Sequence, residues 1–196
     1  MKKIWIVLLA VLGVILFAAL SLAGTYNGLV KMDEGVNQAW AQVENVYQRR
    51  LDLIPNLVET VKGYAAHEKS TFVEVTEARS RAAGSLSPDA INDPAKFAQL
   101  ESSQTALSSA LGRLMVVVEK YPDLKANENF LSLQAQLEGT ENRISVERGR
   151  FNEAAQAFNT SFRQFPRNVI GALFGFHVKE YFKSQPEAGK APVVKF

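Results

Sequence analysis

Two hydrophobic patterns divide the chain. From Ile4 to Ala23 the sequence IWIVLLAVLGVILFAALSLA carries no charge, and Ser21 is its lone polar side chain. At about 1.5 Å per residue, such a helix covers roughly the 30 Å of a bilayer's hydrocarbon core. A soluble core helix of that length would show a polar side, so the segment predicts a membrane-spanning helix. The rival is a cleaved signal peptide, because Ser21-Leu22-Ala23 before Gly24 loosely fits a small-x-small cleavage site. Its apolar run, however, exceeds the roughly 7–15 residues usual there.

Past Leu29 the pattern becomes helical and amphipathic. Leu29, Val36, Val43, Arg50, Leu57 and Tyr64 form one heptad row, and Met32, Ala39, Val46, Leu53 and Thr60 the other. This spacing predicts a helical seam that continues to about Ala83. Pro55 lies inside it. Proline cannot donate to the carbonyl four residues back, so it kinks or ends a helix. No glycine or polar loop flanks it, and a kinked continuous helix is favoured over a reversal. Gly84-Ser85-Leu86-Ser87-Pro88 reads as a turn. Asp93 suits an N-cap and Pro94 the first position of a second helix. That helix shows an apolar face at Phe97, Leu100, Leu107, Leu111, Leu114 and Val118, with Gln104 as the exception, and stops before Tyr121-Pro122. A third helix from about Glu128 to Phe165 carries the strictest row: Phe130, Leu137, Ile144, Phe151, Phe158 and Phe165.

Long amphipathic helices with short links predict an all-α fold, an antiparallel up-and-down bundle of three or four helices depending on Pro55. If the chain reverses at Pro55, its C-terminal end returns to the membrane. If Pro55 merely kinks the helix, that end is distal, and the surplus seam needs another partner, most simply a second copy. The organisation is then an anchor at 1–25, a bundle at 26–166, an apolar segment at 167–182 and a disordered tail at 183–196. The apolar segment is too short to span a bilayer. It either caps the bundle or meets lipid or a partner through Val169, Ile170, Leu173, Phe174 and Phe176. Gly24/Gly28 and Gly171/Gly175 are small-xxx-small pairs, a motif that also marks helix ends.

Composition narrows the function. The chain has 196 residues, no cysteine, two histidines, and 22 Lys+Arg against 20 Asp+Glu. Without Lys2 and Lys3 the body is neutral, so it lacks the basic footprint of a nucleic-acid binder. Zero cysteines exclude disulfides and thiolate chemistry. Lys2 and Lys3 precede the apolar segment, whereas Lys31 beyond it is offset by Asp33 and Glu34. This charge bias predicts a cytoplasmic N-terminus and an extracytoplasmic, periplasmic bundle.

A family resemblance rests on ordered motifs: Tyr26-Asn27-Gly28-Leu29-Val30, Ala39-Trp40, the run from Arg49 through Arg50, Asp52, Pro55 and Asn56 to Val58, and Val61-Lys62-Gly63-Tyr64-Ala65 with His67-Glu68. Glu141-Asn142-Arg143-Ile144, Phe151-Asn152, Phe158-Asn159, Phe165-Pro166-Arg167-Asn168 and Phe174-Gly175-Phe176 complete the set. From about residue 25 to Phe182 the chain resembles the LemA family of bacterial membrane-anchored proteins. The family often has Tyr-Asn where this chain has Phe-Asn. The resemblance implies an N-terminal membrane helix on an antiparallel bundle and no established enzymatic activity. It also implies an association with membrane-protease or envelope proteins, which supports a scaffold or adaptor.

A search for chemistry agrees with that implication. Four residues after His67 stands Thr71, so the second imidazole of a zinc-protease motif is missing. No Glu-x-x-His, nucleophile elbow or phosphate-cradling loop occurs, and no catalytic residue, metal or cofactor is expected. Polar residues on the seams invite a structural role. Arg50, or adjacent Arg49, is expected to pair with a seam carboxylate such as Glu147 and set helix register, unless these side chains extend to solvent. Asn56, Asn142, Asn152 and Asn159 either bond across helices or lie solvated. The expected function is a non-enzymatic, single-pass scaffold of the inner membrane, held by lipid through its N-terminal helix and open to self-assembly. A sensor with a cavity between helices and a membrane-remodelling protein are the alternatives.

Overall fold

A computed structural model describes residues 2–183. Its order is α1 (Lys2–Lys62), α2 (Lys69–Ser85), a 3-10 turn (Pro88–Asn92), α3 (Pro94–Val118), a short α4 (Pro122–Lys125), α5 (Glu128–Arg163) and α6 (Arg167–Leu173). The all-α class is as the periodicity predicts, with no strand among the described residues. The expectation for the tail beyond Lys183 lies outside them.

α1 is a single helix of 61 residues. Its first part is long and apolar enough to cross a membrane, and is unburied by the rest of the protein. The helix passes through Pro55 without ending, as favoured. Proline leaves the Leu51 carbonyl without its helical donor, and that carbonyl accepts a hydrogen bond from Arg79 Nε at 2.8 Å. A side chain of α2 thus supplies the donor that Pro55 lacks.

The chain does reverse, but eight residues beyond Pro55. α1 ends at Lys62, and α2 begins only at Lys69, so the helix expected to run to Ala83 is two helices. Gly63 follows the last helical turn, where the weakest helix former other than proline stands. Four long helices result, running up, down, up and down. Glu74 meets Arg113 and Ser85 meets Ser103, which sets α2 antiparallel to α3. Arg50 faces Glu141 and Tyr64 faces Asn127, which sets α1 antiparallel to α5. The C-terminal end therefore returns toward the apolar segment. The expectation that a continuous helix through Pro55 leaves surplus seam for a second copy is overturned: α2, α3 and α5 cover α1.

Helix ends follow local chemistry. Asp93 Oδ1 accepts from the Ala95 and Lys96 amides, with Pro94 in the first turn. Asn127 caps α5 through the Phe130 amide. α6 closes on Gly175, whose φ of 80° favours glycine; Phe176 N–H donates to the Gly171 carbonyl and Gly175 N–H to that of Ala172.

The core forms two apolar clusters. The distal one joins Leu51, Ile54, Leu57, Val61, Leu107, Leu114, Phe130 and Leu137. The proximal one joins Leu29, Val36, Trp40, Val43, Tyr47, Phe97, Phe151 and Phe158. The first heptad row of α1 is buried from Leu29 to Leu57, but Tyr64 is exposed. The second buried row is Trp40, Tyr47, Ile54 and Val61, not the expected row from Met32 to Thr60, whose members are at most half-buried. Packed along α5 and beside α2 and α3, α1 turns its larger side chains inward. Five residues of the α5 row are buried; Phe165 lies past the helix end and is exposed.

If Arg79 satisfies the carbonyl freed by Pro55, the two substitutions are coupled. Arg79→Ala should cost about 1–2 kcal/mol in the natural background, from loss of a charge-assisted bond to a buried carbonyl. In a Pro55→Ala background, where the substituted residue restores the helical N–H donor, the same change should cost less than half as much. A double-mutant cycle by chemical denaturation measures this.

Candidate functional site

The two apolar clusters meet at a polar waist centred on Arg50. Burying a guanidinium requires partners, and two helices supply them. Arg50, only 2% exposed, places Nη2 2.6 Å from Ser108 Oγ and Nη1 3.5 Å from Gln104 Oε1, both on α3. Its Nε lies 2.8 Å from Glu141 Oε1 on α5, off the N–H axis, so this contact is an ion pair more than an aligned hydrogen bond. Desolvation holds the Arg50 pKa below its ordinary value, opposed by Glu141 and then Tyr47. Burial likewise pushes the Tyr47 phenol up to about 12.

The seam partner is thus Glu141, not Glu147. Glu147, itself mostly buried, accepts from exposed Arg150, three residues on along α5. Arg49 is exposed, and exposed Asp52 accepts from Gln48. Position decides this: Arg50 falls on the buried row beside Val43 and Leu57, one residue from a solvent-facing position at Arg49.

α3 and α5 do not close against each other at this level. A cleft of about 330 Å³ opens on the proximal side of the Arg50–Glu141 pair, lined by Tyr47, Glu101, Gln104, Thr105 and Arg148 among others. A second of about 270 Å³ opens on the distal side, lined by Leu111, Met115, Gln134 and Leu137. Together they make a groove between α3 and α5 with Arg50 in its floor. Its proximal half is charged and its distal half is apolar. Gln104 Nε2 is buried there without a hydrogen-bond partner. Among the described residues no group of three or more His, Asp or Glu is arranged to hold a metal ion.

A C-terminal strap crosses the proximal end of the groove. Asn159 donates to the Lys179 carbonyl and to Tyr181 Oη, and accepts from the Lys179 amide. Asn152, two helical turns earlier, donates to the Phe182 carbonyl and accepts from its amide. Seven residues of helix rise about 10 Å, as do three residues of extended chain, so the two side chains match the strap's repeat. Of the two alternatives for the asparagines, neither fits Asn152 and Asn159, which bond the strap and not another helix, while Asn56 and Asn142 are exposed, in line with the solvated alternative. Phe182 enters an aromatic group with Trp40, Phe97 and Phe151, and the Arg148 guanidinium lies 4.4 Å from its ring centroid. Lys179, buried by this docking, reaches Asp33 and Asn92 at 2.7 Å each. No spacing pattern in the sequence marks Lys179, because its partners lie on two distant elements.

The apolar segment divides between two faces. Ile170 is buried, and Phe176 packs against Tyr26 and Phe158. Val169, Leu173 and Phe174 are exposed. A Cβ at Gly171 would come within 2.5 Å of the Phe162 ring, whereas at Gly24 or Gly28 it would meet nothing within 4 Å. Glycine is therefore needed for close packing at Gly171.

An N-terminal apolar helix continuing into a four-helix bundle defines a class of membrane-associated helical protein. The chain matches the LemA family over residues 39–196 and belongs to it. Relatives include magnetosome protein MamQ 1 of Paramagnetospirillum magneticum, 30% identical over 96% of this chain and 75% of its own length. Magnetosome protein MamQ of Magnetospirillum gryphiswaldense is 28% identical over 86% and 68%. Protein LemA of Metamycoplasma hominis is 24% identical over 75% and 64%. None of these names describes a catalytic activity.

Two measurements probe the waist. Glu141→Gln should destabilise the fold by about 1–2 kcal/mol, because the buried guanidinium loses its counter-charge. Glu147→Gln should cost about 0.5 kcal/mol or less, because its ion-pair partner, Arg150, is exposed to solvent. Denaturant midpoints distinguish the two. For Tyr47, the unfolded chain loses the phenol proton near pH 10 while the folded chain retains it to about 12. Its contribution is therefore complete below pH 10 and is lost as pH rises through that window, by about 3 kcal/mol at most. Tyr47→Phe should flatten this alkaline fall in unfolding free energy.

Proposed function

We propose that this protein is a non-enzymatic, single-pass scaffold of the bacterial inner membrane, which holds a rigid bundle on the extracytoplasmic side and binds envelope proteins or further copies of itself in the α3–α5 groove. The observation that carries this reading is the continuity of α1, which runs from the apolar segment to Lys62 without a linker. A continuous helix transmits position and orientation, which suits assembly. The groove offers a charged half and an apolar half on one face, as a protein partner's mixed surface requires. Its openness to solvent and its ion pairs weigh against an enclosed apolar site for a small ligand. The resemblance to proteins associated with membrane proteases supports a partner of that kind, and relatives named as magnetosome proteins support a role tied to a cellular structure. Lys2 and Lys3 support a cytoplasmic N-terminus.

The chain lacks cysteine, so single cysteines test side and groove together. Thr105→Cys and Gln134→Cys place a thiol in the groove, and Ser80→Cys places one on the exposed face of α2. A membrane-impermeant crosslinker applied to spheroplasts should give discrete products from the two groove positions and none from Ser80→Cys. Reaction at all three positions only after permeabilisation would reverse the orientation. Products from Ser80→Cys alone would remove the groove as the binding face.

A further inference from the structure

α6 brings an apolar face to the place where α1 leaves its apolar segment. Val169 and Leu173 stand four apart on α6 and are 59% and 81% exposed; Phe174 beside them is 58% exposed, and Phe165 in the turn before α6 is 83% exposed. The opposite face is anchored: Ile170 is buried, and Gly171 packs so closely on Phe162 and Leu29 that a Cβ there would lie 3.3 Å from Leu29 Cδ1. The Phe174 ring lies 4.8 Å from that of Tyr26. The outward face is therefore held in place, not a frayed end. Tyr26 to Leu29 stand three to six residues beyond Ala23, or about 5–9 Å along the helix. A headgroup layer is about 5–8 Å deep on each side of the hydrocarbon, so α6 falls at its level. Exposed Arg163 precedes the apolar row, as suits a segment lying among anionic headgroups.

We infer that α6 is a lipid-binding collar, with Phe165, Val169, Leu173 and Phe174 inserted into the interfacial layer of the leaflet from which the bundle emerges. The collar is continuous with the apolar surface of α1, and this continuity selects lipid over a second copy as its occupant. Two contacts, α1 through the bilayer and α6 beside it, hold the bundle at a set tilt where α1 alone would let it lean. The inference rests on Ile4–Ala23 spanning the membrane.

The test uses the full chain in nanodiscs of mixed zwitterionic and anionic lipid, with an environment-sensitive fluorophore on one cysteine at a time. Val169→Cys and Leu173→Cys probe the collar, Leu12→Cys the span and Ser145→Cys the exposed face of α5. Quenching by spin-labelled lipid should be several-fold stronger at 169 and 173 than at 145, and quenching by aqueous iodide several-fold weaker. Lipid quenching at 12 combined with iodide access at 169 and 173 equal to that at 145 would overturn the collar alone. No lipid quenching at 12 would overturn the spanning helix and the collar with it. Protection at 169 and 173 from both quenchers, in particles holding two copies, would assign the face to self-association and overturn the lipid reading.

Discussion

The backbone hydrogen-bond ladder of α1 passes without a joint from the apolar segment Ile4–Ala23 into the bundle, and α2, the 3-10 turn, α5 and α6 pack directly against that helix. A ladder of this length tolerates Pro55 because the carbonyl it frees finds a donor in Arg79. The cost of an interior proline is thus met from a neighbouring helix, which ties the continuity of α1 to the docking of α2. Had the ladder ended at Pro55, the distal core around Leu57 and Val61 would have lost its central element.

The bundle is also divided along its length. Apolar clusters above and below the waist are interrupted by Arg50, Gln104, Ser108 and Glu141. A charge at that depth contributes less to stability than a hydrophobic residue of similar size would. It does restrict the register of α1, α3 and α5, because sliding α1 along α5 by one turn would separate Arg50 from Glu141, and sliding α3 would remove its bonds to Gln104 and Ser108. The same polar side chains leave the α3–α5 edge open. Register and groove therefore arise from one set of residues.

Lys179 repeats this logic at the proximal end. Buried in the strap, it forms an ion pair with Asp33 of α1 and donates a hydrogen bond to Asn92 of the 3-10 turn, while Asn152 and Asn159 hold the strap's backbone. The strap thereby closes the bundle next to the apolar segment and fixes α6 beside Tyr26. Phe151 and Phe158, at positions where the family often has tyrosine, are fully buried in this layer.

Much of this architecture was legible along the chain. The apolar length of Ile4–Ala23, the cap at Asp93-Pro94, the face of α3 and five of the six positions of the α5 row depend on local chemistry and period, which act within a few residues. The reversal at Gly63–Glu68 escaped because Val61, Phe72 and Val75 keep an apolar rhythm across it. The inner row Trp40, Tyr47, Ile54 and Val61 is as periodic as the row expected in its place, and only the position of α5 and α3 selects between them. Arg50 declared itself by standing on a core row, yet Glu141 and Glu147 differ by about one and a half turns, and period alone ranks neither. By itself the sequence determined that the protein is an apolar helix joined to amphipathic ones, since burial of apolar surface depends on spacing. The tertiary structure decided which carboxylate meets Arg50, what the asparagines hold and which face of α6 remains bare, because those contacts join residues far apart in the chain.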